Sequence, residues 1–140
     1  MTKLLIQNAI VVSVDPAIGN LPQADILIED GRILAVGPDL EVTDAERFDA
    51  TGFIASPGFV DTHHHVWQSA IRALTADWSL ADYFAGIRVV TAAHFRAQDM
   101  YAANRHGLIE ALHAGVTTTA DYCHNLITPD HAEEAPWLAA

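Results

Sequence analysis

A strand, a long helical stretch and a second strand follow one another between residues 58 and 120, and this order admits few folds. The first strand is read at Gly58-Phe59-Val60-Asp61-Thr62-His63-His64-His65, with a turn before it in Phe53-Ile54-Ala55-Ser56-Pro57-Gly58. The long helix is read over 97–114, with Met100, Ala103, Leu108, Ile109 and Leu112 as its apolar stripe and Gly115 as its C′ residue. The β-branched run Val116-Thr117-Thr118-Thr119-Ala120 supplies the second strand. Strands joined by a helical crossover lie parallel, with a right-handed connection. Two shorter helices are expected in between, one over 66–73 and one from Ser79 to about 90. Ser79 is its N-cap, with Asp82 three residues on as a partial capping box.

The first strand ends in histidines. Alternate residues of a strand share a face, so His63 and His65 project together, Asp61 joins them, and His64 points the other way. Two imidazoles at the carboxyl end of an apolar strand can chelate one divalent metal ion, which suits metal-dependent hydrolysis. The spacing alone is weak evidence. With 8 His in the chain, chance supplies about half of one His-x-His pair, and the plain alternative is a histidine-rich loop that binds nothing. The preceding turn, the apolar strand and the position at its end favour ligands.

Other polar residues fall near the same end. Gln68 lies on the first turn leaving the strand, and its carboxamide both donates to and accepts from a heterocycle edge. Its alternative is an exposed polar residue starting a helix. His124 and Asn125 follow the second strand and are candidates for substrate contact at the same mouth. Asp61 either orients a histidine by accepting its second ring proton or bonds backbone. Trp67 either lines the pocket or packs in the core, and packing suits it better. Cys123 reads as a small buried thiol. His94, His106, His113 and His131 fall on helices or a helix start and read as packing or surface residues.

Residues 1–56 read as a small all-β domain. Leu4-Leu5-Ile6 and Ala9-Ile10-Val11-Val12-Ser13-Val14 are β-rich runs bounded by Asp15-Pro16. Ala24-Asp25-Ile26-Leu27-Ile28-Glu29 and Arg32-Ile33-Leu34-Ala35-Val36-Gly37 flank Asp30-Gly31. That pair between apolar runs predicts a type I′ hairpin, whose two central residues both need positive φ. A further strand is expected around Arg47-Phe48-Asp49.

Three of these stretches carry a resemblance. Pro57-Gly58-Phe59-Val60-Asp61-Thr62-His63-His64-His65 resembles the first barrel strand of the amidohydrolase superfamily, in its cytosine deaminase-like and triazine hydrolase-like branch. The likeness extends to the hairpin at Asp30-Gly31-Arg32-Ile33-Leu34-Ala35-Val36-Gly37. It continues to Gly115-Val116-Thr117-Thr118-Thr119-Ala120-Asp121, which is similar to the family's second barrel strand. The resemblance implies an α/β fold: the N-terminal part of a small β-sandwich (1–56), then the first two strand–helix units of a TIM-type (β/α)8 barrel (57–140). It implies that His63 and His65 are the first two metal ligands, with zinc or iron as the divalent metal. It also implies Gln68 as a residue near the substrate ring. The family's chemistry is hydrolytic deamination or C–N cleavage of a nitrogen heterocycle by metal-activated water. A cyclic-amide hydrolase of the hydantoinase type is the near alternative.

Length departs from that pattern. A TIM-type barrel takes about 250 residues, and about 85 follow the start of the first strand here. The family's further ligands, two histidines and an aspartate from later strands, have no counterpart, and no catalytic base is assigned. The chain therefore reads as an inactive front end. A non-catalytic fragment, or a subunit completed by a partner, is the alternative. Thr128 and Pro129 open a third helix, which Pro136 should break, and residues from about 136 onward read as the product of truncation or a shifted frame. The unpaired outer edge of the second strand predicts self-association or aggregation.

Composition narrows the remaining classes. Hydrophobic residues make up 51% of the chain, enough for a packed core. The net charge of −11, from 7 Lys+Arg against 18 Asp+Glu, argues against a nucleic-acid partner. A single Cys123 leaves no internal disulfide. No signal peptide and no run of about 18 apolar residues is seen, so no membrane partner is expected and a cytoplasmic enzyme is.

Overall fold

In the computed structural model, which describes residues 3–134, the chain divides into two units between Pro57 and Gly58. The first is a mixed sheet built from β1 (Lys3–Val12), β2 (Asn20–Glu29), β3 (Arg32–Gly37), β4 (Glu46–Asp49) and β5 (Ile54–Ala55). Its order is β3-β2-β1-β4, with β5 also on β1, and both β4 and β5 run parallel to β1. The β2–β3 hairpin turns at Asp30 (φ 48°) and Gly31 (φ 76°), the two positive values a type I′ turn requires.

The two expected N-terminal runs are one strand. Asn8 sits at φ 63°, and the β1–β2 register shifts between Ile6 and Ala9. A bulge thus lets a single strand carry both runs. The Asn8 N–H donates to Asp25 Oδ1 at 3.0 Å, and Asp25 Oδ2 accepts the Leu40 N–H at 3.0 Å. A buried carboxylate therefore holds two backbone donors outside the ladder. Below it, Ala9, Val11, Ala24, Ile26 and Ala50 form the core of this unit.

The second unit begins with β6 (Phe59–His64), which pairs in parallel with β7 (Val116–Asp121). Gly58 makes the approach possible, because a Cβ there would lie 2.2 Å from Thr117 Oγ1. At the other end of the crossover Gly115 takes φ 84°. Its N–H donates to the Leu112 carbonyl at 2.9 Å and its own carbonyl accepts the Phe59 N–H at 2.8 Å. One left-handed residue both ends the helix and starts the ladder.

Between the strands lie a 3-10 turn (Val66–Ile71), α1 (Leu80–Tyr83), a π-helical stretch (Phe84–Thr91), a second 3-10 turn (Ala92–His94) and α2 (Ala97–His113). Ser79 caps as expected: its Oγ accepts the Asp82 N–H at 3.3 Å, and Asp82 Oδ2 accepts the Ser79 N–H at 3.0 Å. The expected helix to about residue 90 differs in its second half, where it widens to π geometry after Tyr83. Gly86 lies directly under the Trp78 ring there, and a Cβ would be 2.3 Å from Trp78 Cζ3.

The apolar stripe expected on α2 holds at Met100 and Ala103 and is corrected beyond them. Met100, Ala103, Asn104 and Gly107 are its buried face, whereas Ile109 and Leu112 are 44% and 64% exposed. Gly107 decides the rotation, since a Cβ there would meet the Val66 carbonyl oxygen at 2.9 Å and Ser69 Oγ at 2.5 Å. The helix packs its smallest residue on the 3-10 turn, and Ile109 and Leu112 face away. Trp67, Ile87, Ala92, Met100 and Ala103 form the core. After β7, α3 (Pro129–Glu134) starts at Pro129, with the His131 N–H donating to Thr128 Oγ1 at 3.4 Å. The break expected at Pro136 and the odd tail beyond it lie outside the described residues.

Candidate active site at the carboxyl ends of the parallel strands

β6 delivers its histidines through an irregularity. The β6–β7 register runs Asp61↔Thr119 and then His64↔Asp121, so three residues of β6 span two of β7. Strict alternation fails across that step. Asp61 consequently does not meet the rings of His63 and His65, as period two suggested. Its Oδ1 accepts the His63 backbone N–H at 3.1 Å, and its Oδ2 lies 3.4 Å from Nδ1 of His64. Of its two candidate roles, the structure gives it the backbone one.

The His63 and His65 rings lie with centroids 5.1 Å apart, their planes at 80°. Tyr122, the first residue after β7, organises both. Its ring stacks on His63 at 4.3 Å and 7°, and its carbonyl oxygen lies 2.8 Å from His65 Nδ1. A carbonyl only accepts, so His65 Nδ1 carries the hydrogen and the neutral ring keeps its lone pair on Nε2. A backbone carbonyl commonly sets a metal-ligating histidine in this way. The donor set therefore fits two corners of a divalent metal site. Among the described residues no group of three or more His, Cys, Asp or Glu is placed to hold a metal ion.

Asp121, at the end of β7, takes the Val66 N–H on Oδ1 at 3.2 Å and ties the first turn to the second strand. Although part of the residue reaches solvent, burial pushes its carboxyl above the ordinary range, opposed by that N–H and by His64 and His65. The sequence assigned neither Tyr122 nor Asp121 a role in the site. Their only signal was position, one strand end beside another.

Gln68 and His124 meet through a residue the sequence reading passed over. Gln68 Nε2 donates to the Tyr83 hydroxyl oxygen at 2.7 Å, and that oxygen lies 3.3 Å from His124 Nε2. Gln68, Tyr83 and His65 line one cavity of about 360 Å³, in the range of small-molecule sites. The His124 ring packs on His65 at 4.1 Å, while its Nδ1 faces Trp67 Nε1 at 3.1 Å and Arg88 Nη1 at 2.9 Å. Both ring nitrogens of His124 are thus engaged by protein groups. Trp67 is wholly buried under this network, the packing role the sequence favoured. Asn125 is buried rather than at the mouth, its Nδ2 within 3.4 Å of the Ala92 carbonyl. Cys123 is half-buried, and burial with Asp121 nearby pushes its thiol up.

Residues 54–135 match the model of the amidohydrolase family. The chain belongs to that family. A 5'-deoxyadenosine deaminase from Methanosarcina barkeri is 30% identical over the whole chain, which spans 32% of the deaminase. A triazine hydrolase from Arthrobacter aurescens superposes with a TM-score of 0.79 at 30% identity, over 86% of this chain and 28% of that one. Atrazine chlorohydrolase TrzN from Arthrobacter aurescens TC1, solved in complex with zinc, gives 0.78 at 31% identity over 84% and 28%. The chain therefore spans about a third of the length of the curated relatives it matches. Among its described residues, no helix is long and apolar enough to cross a membrane.

In this chain the surroundings of His124 disfavour its charged form. Burial, then Arg88, then His65 lower its pKa from 6.5 to about 4. The unfolded chain takes up the proton near 6.5 while the native ring resists it to about 4. The resulting stabilisation is complete above 6.5 and is lost as the pH falls toward 4. Solvent at the partly exposed ring screens the effect, so about 1 kcal/mol is expected. An NMR titration in EDTA should find the His124 midpoint near 4, and urea unfolding should be easier at pH 5 than at pH 7. A midpoint near 6.5 would contradict the burial described.

Proposed function

We propose that this chain supplies the first metal-binding segment of a metal-dependent hydrolase that cleaves C–N bonds of a nitrogen heterocycle, releasing ammonia or an amine. In this reading β6 and β7 are the first two strands of a (β/α)8 barrel, and the sheet of the first unit is part of a small β-sandwich. The observation that carries it is the convergence of His63 and His65, with His65 Nδ1–H given to the Tyr122 carbonyl. His63 and His65 would hold the metal, with zinc favoured by the ion in the TrzN structure. When bound, such a metal lowers the pKa of a water toward neutrality.

The chain's own residues do the rest by placement. Tyr122 fixes the direction in which His65 presents Nε2, and its ring braces His63. Gln68 offers a carboxamide to the heterocycle in the cavity. His124 serves the substrate side by holding Tyr83 beside Gln68. Phe59 and Val60, 65% and 64% exposed on the strand that bears the histidines, support self-association of the purified chain.

Zinc titration, followed through the histidine ring nitrogens by NMR, tests the reading. One equivalent should move the signals of His63 and His65 together, leave the His65 Nδ1–H in place, and have no such effect in His63→Ala. Zinc shifts confined to His94, His106 and His113, or no saturable shift, would sink it.

A further inference from the structure

We propose that the Arg88 guanidinium, held on His124 beside His65, is an anion subsite that takes a carboxylate carried by the ligand. The inference rests on the proposed function only in taking the carboxyl ends of β6 and β7 as the side from which a ligand approaches.

Charge accounting leads to it. The chain holds 18 Asp+Glu against 7 Lys+Arg, so its cations are not short of carboxylates. Lys3 pairs with Glu29, Arg72 with Glu110 and Arg96 with Asp99. Arg32, Arg47 and Arg105 lie exposed, where water solvates the charge. Arg88 is partly buried, and among the described residues no carboxylate pairs with it. Its Nη1 instead donates to His124 Nδ1 at 2.9 Å, and the Trp67 indole N–H donates to the same nitrogen at 3.1 Å. Both groups can only donate, so Nδ1 holds a lone pair and the neutral ring carries its hydrogen on Nε2, toward the Tyr83 oxygen. An imidazole lone pair satisfies one N–H of the guanidinium and leaves its unit charge uncompensated. Drawing such a charge partly out of water carries a cost that an anion offsets.

The fold puts this charge where a ligand can use it. The His124 ring packs on His65 at 4.1 Å, so the guanidinium stands one imidazole away from the histidine pair. Arg88 lies in the π-helical stretch Phe84–Thr91, a distortion frequent at functional sites. Tyr83 and Ile87, on the same run of helix, line the cavity of about 360 Å³, and Arg88 flanks it. A single guanidinium is balanced by a monoanion, and its planar fork matches the two oxygens of a carboxylate. Trp67, wholly buried, and His124 act as positioning residues that hold the fork in place.

Benzoate and benzamide are suitable probes, because they share a shape and only benzoate carries the charge. Binding to the 140-residue chain is measured by NMR titration at pH 7 in EDTA, so that metal chemistry plays no part. Benzoate should move the Arg88 Nε–H signal saturably and bind about tenfold more tightly than benzamide. Arg88→Met should bring benzoate down to the level of benzamide, with an unchanged circular dichroism spectrum. Arg88→Lys keeps the charge without the fork and should leave an intermediate preference. Arg72→Met should keep the full preference, since Glu110 already pairs with Arg72. No saturable benzoate binding, equal affinity for the two probes, a benzoate preference that survives in Arg88→Met, or one that is lost in Arg72→Met would each overturn the proposal. Tighter binding of inorganic phosphate than of benzoate would overturn the carboxylate assignment. Zinc failing to move His63 and His65 while this binding pattern holds would instead overturn only the hydrolase reading.

Discussion

Replacing Trp67 by alanine should destabilise the unit formed by residues 58–134 by about 3–5 kcal/mol, the usual cost of emptying a large buried aromatic site. Trp67 is fully buried at the centre of the cluster with Ile87, Ala92, Met100 and Ala103. Its ring meets Phe95 edge-on at 5.1 Å and 80°. Its indole N–H also donates to His124, so the alanine variant loses a hydrogen bond as well as volume. Trp67→Phe keeps much of the packing and drops the donor, and should cost less, about 1–2 kcal/mol. Urea unfolding followed by circular dichroism at 222 nm measures both. A loss below about 1 kcal/mol for Trp67→Ala would mean that the cluster is not the core of this unit.

What the sequence made legible was local. Asp30-Gly31, Ser79 with Asp82, and Gly115 each announce a backbone conformation through the chemistry of one or two residues. All three sit where the turn, the cap and the helix end were expected. The order of strand, helix and strand likewise forced a parallel pair before any coordinate was known. What stayed hidden depends on partners far along the chain. The bulge at Asn8 is satisfied by Asp25, seventeen residues on. The slip between Asp61 and His64 exists only against β7, and period-two reasoning about Asp61 cannot see it. The buried face of α2 follows the fit of Gly107 against Val66, a matter of shape that hydropathy does not encode.

The candidate site divides along the same line. His63 and His65 were visible because two identical ligands at alternate positions of a strand form a pattern. Gln68 was visible because it follows them within one turn. Tyr122 and Tyr83 carry no pattern of their own. One acts through a main-chain carbonyl, which any residue supplies, and the other through a hydroxyl that matters only because His124 and Gln68 converge on it. Ring proton positions are set by donors such as Arg88 and Trp67, which sequence spacing does not relate to His124.

The 140-residue chain by itself should bind zinc and yet show no turnover. Catalytic zinc centres normally take three protein ligands and a water. Here two imidazoles converge, and no larger donor group is found among the described residues. A two-ligand ion is weakly held, and its water is acidified far less than in a complete site. Nor are the carboxylate that ends β7 and the imidazole that follows it free to serve as the general base. Asp121 is committed to the Val66 N–H, and both nitrogens of His124 are engaged. Absence of such a group costs a factor of about 10²–10⁴ on its own, and the shortfall in ligands multiplies it. Ammonia release from adenine, cytosine and aminotriazine substrates, with zinc present, should therefore match that of zinc in buffer. The His63→Ala variant should give the same background. Release above that background, abolished by His63→Ala, would show that chains combine to complete a site, and the two-ligand account would fall.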